Sequence, residues 1–309
     1  SSNASQLMEN VLSTIPSTGG KIFLKSCSTY PASTYSGNIV VNKNFVTIEA
    51  EQGAVWEGTI FVNNYYCTIK HLQFNGLQVN KWELRVQDCA IVEGGLSLRT
   101  NVSQIFRCYF TRCNFINCSI LIQGESGHFV NEIHFQECYF EDSQITVNAV
   151  YPCIGLDHIV FSECYLYNSA TYAMILYYGH RLKIVSCHFD TPASYALFCN
   201  TTITSANVID CSFHGQGVYD ISNGTVTFSD LQDWIVENSG YCYVATDGLY
   251  ISHGLNATPT TVLITMITSL WGGVPLHPSW DRDNTNSTHF RIRLHYSNGT
   301  TFTHTCELT

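Results

Sequence analysis

Hydrophobic residues recur along this chain in a four-position pattern centred on a cysteine. Apolar residues lie five and three positions before the cysteine, and another apolar residue, usually aromatic, lies two positions after it. Ile133, Phe135, Cys138 and Phe140 form one copy of this pattern. The seven central residues are Leu72, Cys89, Cys113, Cys138, Cys164, Cys187 and Cys211. Their spacings are 17, 24, 25, 26, 23 and 24 residues, which indicates an internal repeat.

Each half of the repeat alternates apolar and polar residues, which is the periodicity of a β-strand with one buried face. The alternation breaks just before the central residue, and this break predicts a corner. A second short strand follows four of the copies, and its predicted inward pairs are Ile120 and Ile122, Ile145 and Val147, Met174 and Leu176, and Ala196 and Phe198. Because no helical pattern separates these strands, the repeat predicts an all-β solenoid of stacked coils with like residues in ladders.

Cysteine occupies six of the seven central positions, which predicts a ladder of buried thiols. Buried cysteine behaves as a small hydrophobic residue, so we expect these thiols to be reduced rather than bridged. We expect no metal site, because zinc ligands must converge on one point whereas a ladder spreads them along an axis. Cys242 and Cys306 are the two cysteines of the C-terminal part, and we take them as the candidate disulfide.

The two ends of the chain depart from the repeat. Residues 1–20 have apolar residues at helical spacing before Pro16, and this predicts a capping helix. Residues 21–230 are predicted to form the β-helix. Residues 240–309 alternate short strands with turns, including a hairpin-type turn at Ser297-Asn298-Gly299, and predict a C-terminal antiparallel β module.

The helix, the Gly19-Gly20 turn and the entry into the first strand resemble the start of the pectate-lyase-like superfamily of right-handed parallel β-helices. This superfamily includes polysaccharide lyases, polygalacturonases and phage tailspikes. The resemblance covers roughly residues 4–225, and it implies a fold rather than an activity. The segment Ile251–Leu255, followed by Pro259, resembles the terminal β modules of tail-fibre and tailspike proteins. That resemblance implies trimerisation or docking by the C-terminal module.

Composition narrows the function further. Charged residues make up only 12% of the chain, the net charge is −10 and there are 14 Lys and Arg residues without a basic run. Nucleic-acid binding needs clustered Lys and Arg, so it is not expected. No segment has the 18 or so apolar residues that cross a bilayer, so membrane insertion is not expected either. Eight Asn-x-Ser/Thr sequons favour an exported glycoprotein at a virion or cell surface.

Outward positions beside the central residues form two columns. The column one position before the central residue is Asp88, Arg112, Glu137, Glu163, Ser186 and Asp210. The column one position after it is Ala90, Asn114, Tyr139, Tyr165, His188 and Ser212. Carboxylates accept hydrogen bonds from sugar hydroxyls, and aromatic rings stack on sugar faces. The candidate glycan-binding residues are therefore Tyr139, Tyr165, His188 and Arg112.

Three carboxylates in the first column, Glu137, Glu163 and Asp210, are candidate catalytic residues. Adjacent coils place side chains ~4.8 Å apart, which is close to the ~5–5.5 Å carboxylate separation of retaining glycosidases. Glu163 and Asp210 are two coils apart, ~9.6 Å, at the upper edge of the range for inverting enzymes. A solvated acidic edge explains the same residues, and we favour it because carboxylates usually stay on the surface.

The catalytic motifs of the resembling enzymes are largely absent. Only Gly179–Lys183 is faintly similar to the Gly-His-Gly and Arg-Ile-Lys motifs of polygalacturonases, and the acidic motifs are missing. The sequence also lacks the Ca²⁺-binding Asp cluster of pectate lyases. We therefore favour a tailspike-like spike or adhesin that recognises a cell-surface polysaccharide or glycoprotein, without a cofactor and as a homotrimer. A polysaccharide hydrolase or lyase and a structural filament or envelope subunit are the alternatives.

Overall fold

The computed structural model describes residues 2–25, 34–99, 104–125, 127–149, 155–168, 172–191, 195–215, 218–220, 222, 225–229, 236–237, 250–252, 270–271, 274–281 and 289–296. The helix α1 spans Ser2–Thr14 and ends shortly before Pro16. Met8, Leu12 and Ile15 are buried, whereas Leu7 and Val11 on the other side of the helix are exposed. The predicted capping helix is therefore present, and only one of its faces packs on the protein.

Strands make up almost all of the remaining described structure. In chain order they are Gly20–Leu24 (β1), Thr34–Ser36 (β2), Ile39–Val41 (β3), Val46–Ala50 (β4), Val55–Val62 (β5), Cys67–Lys70 (β6), Gln73–Val79 (β7), Leu84–Gln87 (β8), Ala90–Arg99 (β9), Ile105–Thr111 (β10), Asn114–Ile116 (β11), Ser119–Gly124 (β12), Phe129–Gln136 (β13), Tyr139–Glu141 (β14), Gln144–Ala149 (β15), Gly155–Ser162 (β16), Tyr165–Tyr167 (β17), Met174–Leu176 (β18), Leu182–Val185 (β19), His188–Thr191 (β20), Leu197–Cys199 (β21), Ala206–Ile209 (β22), Ser212–Gly215 (β23), Val218–Asp220 (β24), Val226–Ser229 (β25), Val236–Glu237 (β26), Tyr250–Ser252 (β27), Leu270–Trp271 (β28), Val274–Asp281 (β29) and His289–Tyr296 (β30).

The strands stack as the coils of a right-handed parallel β-helix. The repeat predicts the stacked coils, and the superfamily resemblance implies their hand. One ten-stranded parallel sheet has the order β1-β4-β6-β8-β10-β13-β16-β19-β22-β25. A second sheet divides at β9, whose first half pairs with β11 and whose second half pairs with β12. From there, β11-β14-β17-β20-β23 and β12-β15-β18-β21-β24 continue as two separate ladders. Later coils therefore have three sides, because a corner at Asn117 (φ 52°) breaks the long strand in two.

The interior consists of the predicted ladders. The four positions of the repeat are buried in every copy, with Phe135 and Phe140 fully inaccessible. Phe135 stacks between Phe110 and Phe161, with ring centroids 4.7 and 4.8 Å away. Ten of the cysteines lie in the described part of the chain, and all ten are buried free thiols. The prediction of a buried cysteine ladder is therefore confirmed, and its reduced state stays a prediction.

The break in the pattern before each central residue is a left-handed corner. Asp88, Arg112, Glu137, Glu163, Ser186 and Asp210 all have φ between 50° and 54°. Each backbone N–H there donates to a carbonyl of the next coil, for example Glu137 N to Ser162 O at 3.0 Å. A single residue makes the turn, and its backbone N–H keeps a hydrogen-bond partner. One strand can therefore end and the next begin with only one residue between them.

One predicted inward pair is wrong. Ala196 is buried but precedes its strand, and Phe198 faces outward between the inward residues Leu197 and Cys199. The register is set by β18, where Met174 pairs with Leu197 and Leu176 with Cys199. Phe198 instead stacks on Tyr219 at 5.6 Å on the outer surface. A hydrophobic side chain outside the core therefore mimicked the inward periodicity.

The chain divides into two compact units. The first comprises Ser1–Tyr219 and Thr225–Ile235 and contains the coils of the β-helix. The second comprises Asp220–Gly224 and Val236–Thr309, and its described strands include an antiparallel sheet of order β27-β30-β29-β28. Cys242, Cys306 and the turn at Ser297–Gly299 lie outside the described residues, so the disulfide stays a prediction.

Candidate functional site

The two outward columns lie on adjacent coils in the predicted order. Asn114 pairs with Ala90 and with Tyr139, Tyr139 with Tyr165, Tyr165 with His188, and His188 with Ser212. We call these two columns, from Asp88 and Ala90 to Asp210 and Ser212, the strip. The first column consists of the left-handed corner residues, and the second column begins the strands that follow them. The backbone of both columns is hydrogen-bonded to adjacent coils. The candidate glycan-binding residues therefore share one surface.

The aromatic residues of the strip stack on one another. The rings of Tyr139 and Tyr165 have centroids 5.4 Å apart, and those of Tyr165 and His188 are 4.8 Å apart. The inner ring faces are consequently covered, so not every ring can stack on a sugar. Tyr139 is the first ring, and its partner in the preceding coil is Asn114, which has no ring. Among the described residues, no aromatic ring covers Tyr139 on that side.

A groove lies on the coils before Tyr139. It has a volume of about 600 Å³, and its lining includes His71, Gln73, Asp88, Ala90, Arg112 and Asn114. Gln73, Ala90 and Asn114 continue the column of Tyr139 toward the N-terminus, since Gln73 pairs with Ala90 and Ala90 with Asn114. These coils have smaller side chains at the positions where the later coils have rings. The space that this leaves is the groove, which lies beside the ring stack. The sequence prediction missed this groove, because small side chains carry no chemical signature.

Arg112 forms one wall of the groove and is held in place by Asp88. The guanidinium donates from Nε at 2.7 Å and from a second nitrogen at 3.1 Å to the two carboxylate oxygens. These hydrogen bonds hold the pKa of the Asp88 carboxyl below its usual range. His71 adds a third member, with its Nδ1 3.9 Å from Asp88. A two-pronged contact fixes the plane of the guanidinium and leaves further N–H donors for a ligand.

A second polar cluster lies beside the later rings and was not predicted. Asp190 accepts hydrogen bonds from Tyr165 Oη at 3.1 Å and from the ring of His214 at 2.8 Å. The contact with His214 is the main cause of a lowered pKa of Asp190. Asp190 and His214 lie two residues beyond His188 and Ser212 on the same short strands. Extending the outward alternation by one more step would have identified both residues.

The three candidate catalytic carboxylates lie at exposed corners. Glu137 and Glu163 are on adjacent coils, since Glu137 donates its backbone N–H to Ser162 and Tyr139 pairs with Tyr165. Asp210 accepts a hydrogen bond from Ser186 Oγ at 2.9 Å. All three side chains are solvent-exposed, whereas catalytic carboxyls function in sites that exclude water. Their catalytic role stays a prediction.

Within the described residues, no group of three His, Cys, Asp or Glu side chains is arranged to hold a metal ion. The same part of the chain contains no helix long and apolar enough to cross a membrane.

A scan against protein-family models finds no match to this chain, and a search of curated proteins finds none. The fold is similar to that of ORF18 of Geobacillus virus E2, with a TM-score of 0.51 and 10% identity over 99% of this chain and 72% of that one. A mannuronic acid-specific polysaccharide family 6 lyase from human gut microbiota gives a TM-score of 0.43 and 12% identity over 76% and 65%.

Endopolygalacturonase I from Stereum purpureum gives a TM-score of 0.26 and 10% identity over 78% of this chain and 99% of that one. At these identities the likeness concerns the fold and not the chemistry. Together with the stacked parallel sheets, the likeness to the viral protein shows that this chain has the right-handed parallel β-helix fold.

Proposed function

We propose that this protein binds a cell-surface polysaccharide or glycoprotein along the groove and the strip. The observation that carries the proposal is the position of the groove, because Asn114 lines it and pairs with Tyr139, whose ring has no aromatic partner on that side among the described residues. A sugar lying in the groove can stack on that face while its hydroxyls meet Asn114 and Arg112. Ring stacking combined with a few fixed polar groups is how proteins orient small polar ligands.

The later part of the strip extends the contact surface along the axis of the coils. Its carboxylates, Glu137 and Glu163, accept hydrogen bonds from sugar hydroxyls, and Tyr165 and His188 present ring edges. A repeated surface with one coil per ~4.8 Å suits an extended polymer, which can contact several coils at once. A chain-like glycan is therefore a better fit than a single compact ligand.

Recognition without cleavage is the form of the proposal that we favour. The groove is open, and the carboxylates nearest the rings are exposed to water. Electrostatic stabilisation of a transition state is strongest where water is excluded. The spacing of one coil between Glu137 and Glu163 is the observation that supports a glycosidase as the second candidate.

We further propose that the protein is displayed at a virion or cell surface as a homotrimer. The tailspike-like segment Ile251–Leu255 supports this assembly, and a viral protein with the same fold is a precedent for the location. Light scattering of the full chain is expected to give three times the 34.6 kDa of one chain. A monomer at micromolar concentration would rule out the trimer.

The experiment that tests the function is incubation of the full chain with a panel of cell-surface polysaccharides. Retained polysaccharide and released oligosaccharide are measured together, for the wild type, Glu137→Gln and Glu163→Gln. We expect binding without release. Release that either variant abolishes would make the protein a depolymerase, and release that survives in both would show that these carboxylates are not catalytic. Neither binding nor release would contradict the proposal and favour a structural role.

A further inference from the structure

A second aromatic surface lies on the first coils, at the corner where the chain enters the ten-stranded sheet. It consists of Phe45, Tyr65, Tyr66, Trp82 and Phe106, and we call it the aromatic corner. Phe45 and Tyr66 stack with centroids 4.7 Å apart, and Trp82 stacks on Phe106 at 4.5 Å. Tyr66 joins the two pairs, with its ring centroid 5.7 Å from that of Trp82, and the ring of Tyr65 lies 4.7 Å from Trp82 as well. None of these residues lines the groove described above.

The stability of the fold does not explain the rings at this corner. Phe45 and Tyr66 have φ of 56° and 59°, a conformation that bulky side chains rarely adopt. Their side chains are 50% and 41% exposed, so little apolar burial offsets that backbone cost. The same corner in the following coils holds Glu83 and Arg107, which are polar. Exposed rings in unfavourable backbone positions are characteristic of a recognition surface.

Among the described residues, the first ring of this stack, Phe45, has no aromatic partner on its N-terminal side. Gly19 is opposite Phe45 in the preceding strand, since Gly20 pairs with Val46, and glycine has no side chain to cover the ring. Gly19 has φ 95°, and a Cβ added there would lie 2.4 Å from the Cβ of Phe45. The arrangement repeats that of Tyr139 beside Asn114, with a ring stack that ends on a residue without a ring.

Amide side chains form a ladder next to the rings. Asn63 donates from Nδ2 to Asn42 Oδ1 at 3.1 Å, and Asn80 donates to Asn63 Oδ1 at 2.6 Å. Asn42 and Asn63 each have two amide N–H donors and an oxygen with two acceptor sites, which is more than the ladder uses, so they can also bond sugar hydroxyls. A row of amides beside exposed rings matches the two kinds of contact that a pyranose chain makes.

Charge indicates what kind of glycan the corner accepts. Lys43 and Lys81 flank the amide ladder, and Lys81 Nζ lies 5.7 Å from the centre of the Tyr65 ring. Neither lysine has a carboxylate within 4 Å in the described part of the chain. Residues 1–112 have nine Lys and Arg against seven Asp and Glu, whereas residues 113–229 have two against ten. An anionic polymer is therefore accommodated at this corner and repelled along the later coils.

We propose that the aromatic corner is a second carbohydrate-binding surface, which takes an anionic, pyranose-based polysaccharide. The inference does not depend on glycan binding at the groove. The probes are a hyaluronan oligosaccharide and its carboxyl-reduced, neutral counterpart, titrated calorimetrically into the full chain. The wild type is expected to bind the anionic form more tightly, with a preference that weakens as salt is added.

Two variants and a matched control define the result. Tyr66→Ala is expected to weaken binding of both probes by about tenfold or more, the effect of losing one good contact. Lys81→Gln is expected to remove the preference for the anionic probe. Tyr177→Ala, which truncates another exposed tyrosine, should leave both affinities unchanged. Circular dichroism of each variant checks that the fold is retained.

Several outcomes would overturn the proposal. These are no binding of either probe by the wild type, equal binding by Tyr66→Ala, or a loss with Tyr177→Ala as large as that with Tyr66→Ala. A change in oligomeric mass on Tyr66→Ala, without sugar binding by the wild type, would instead identify a protein–protein contact. Tyr139→Ala separates this site from the groove, since it tests only the function proposed above.

Discussion

The thiols of the cysteine ladder are buried and hydrogen-bonded to the backbone. Cys138 and Cys164 donate to the backbone carbonyls of Phe110 and Phe135, one coil earlier, each at 3.5 Å. Burial raises the pKa of the Cys67 thiol to about 11 and that of Cys89 to about 12. Since the thiolate is the reactive form, these groups are almost entirely unreactive near neutral pH.

We therefore predict that the native ladder resists alkylation. Iodoacetamide at about pH 8 should leave Cys89, Cys138 and Cys164 unmodified, because each is buried and has a thiol pKa above its usual range. Peptide mapping by mass spectrometry gives the result for each cysteine separately. The control is the same reaction in denaturant, where all three should react. Equal rates in the two conditions would show that the ladder opens readily or is not formed.

The pair of Asp88 and Arg112 predicts a pH effect at the groove. The pKa of Asp88 is lowered chiefly by its hydrogen bonds to Arg112, which the unfolded chain lacks. The pair therefore stabilises the fold above the unfolded pKa of about 3.9, and this contribution is lost as pH falls through the lower folded value. Between about pH 6 and about pH 3, the urea midpoint of the wild type should fall further than that of Arg112→Ala. An equal fall of the urea midpoint in the two proteins would contradict the account.

At the scale of the strand, the left-handed corners place the strictest backbone requirement on the residue type. Glu163 has φ 54° and lies between β16 and β17, where its backbone N–H donates to Val185 O at 3.0 Å. A β-branched side chain is strongly disfavoured in this conformation, whereas glycine adopts it freely. The corner therefore constrains the residue type even though its side chain is exposed.

Glu163→Val is predicted to destabilise the protein by about 1–2 kcal/mol, and Glu163→Gly should be neutral or slightly stabilising. The matched control is Lys183→Val in β19, an exposed strand position where a β-branched residue is tolerated and the change should stay within about 0.5 kcal/mol. Urea denaturation of the three variants measures the differences. The assignment of the corner would be wrong if Glu163→Val were no more destabilising than Lys183→Val.

The sequence predicts the ladders well and the surface less well. Buried positions such as Phe135 and Cys138 repeat because every coil must present the same shape to its neighbours. Phe198 breaks this rule, because its ring stacks on Tyr219 outside the core, and periodicity cannot tell an outer ring stack from an inner one. The groove was not predicted for a related reason. Ala90 and Asn114 form it because their side chains are small, and periodicity does not mark small outward residues.

At the scale of the whole molecule, the coils present two separate aromatic surfaces, each of which we propose as a carbohydrate-binding surface. The later coils of the strip lie in residues 113–229, which have ten acidic and two basic residues, whereas the aromatic corner and nearly all of the groove lining lie in the more basic first part. Both surfaces use the same device, a ring stack that ends on a residue without a ring. A solenoid allows this, because each coil adds one outward side chain to every column.

The central claim, that the groove and strip bind a polysaccharide, depends most directly on Tyr139. The measurement is the affinity of the full chain for the best-bound polysaccharide of the panel, compared among the wild type, Tyr139→Ala and Tyr109→Ala. Tyr109 is the matched control, because it also faces outward and stacks on a histidine of the next coil at 5.1 Å. We predict about tenfold weaker binding for Tyr139→Ala and no change for Tyr109→Ala. Wild-type affinity in Tyr139→Ala, or no binding by the wild type across the panel, would contradict the account.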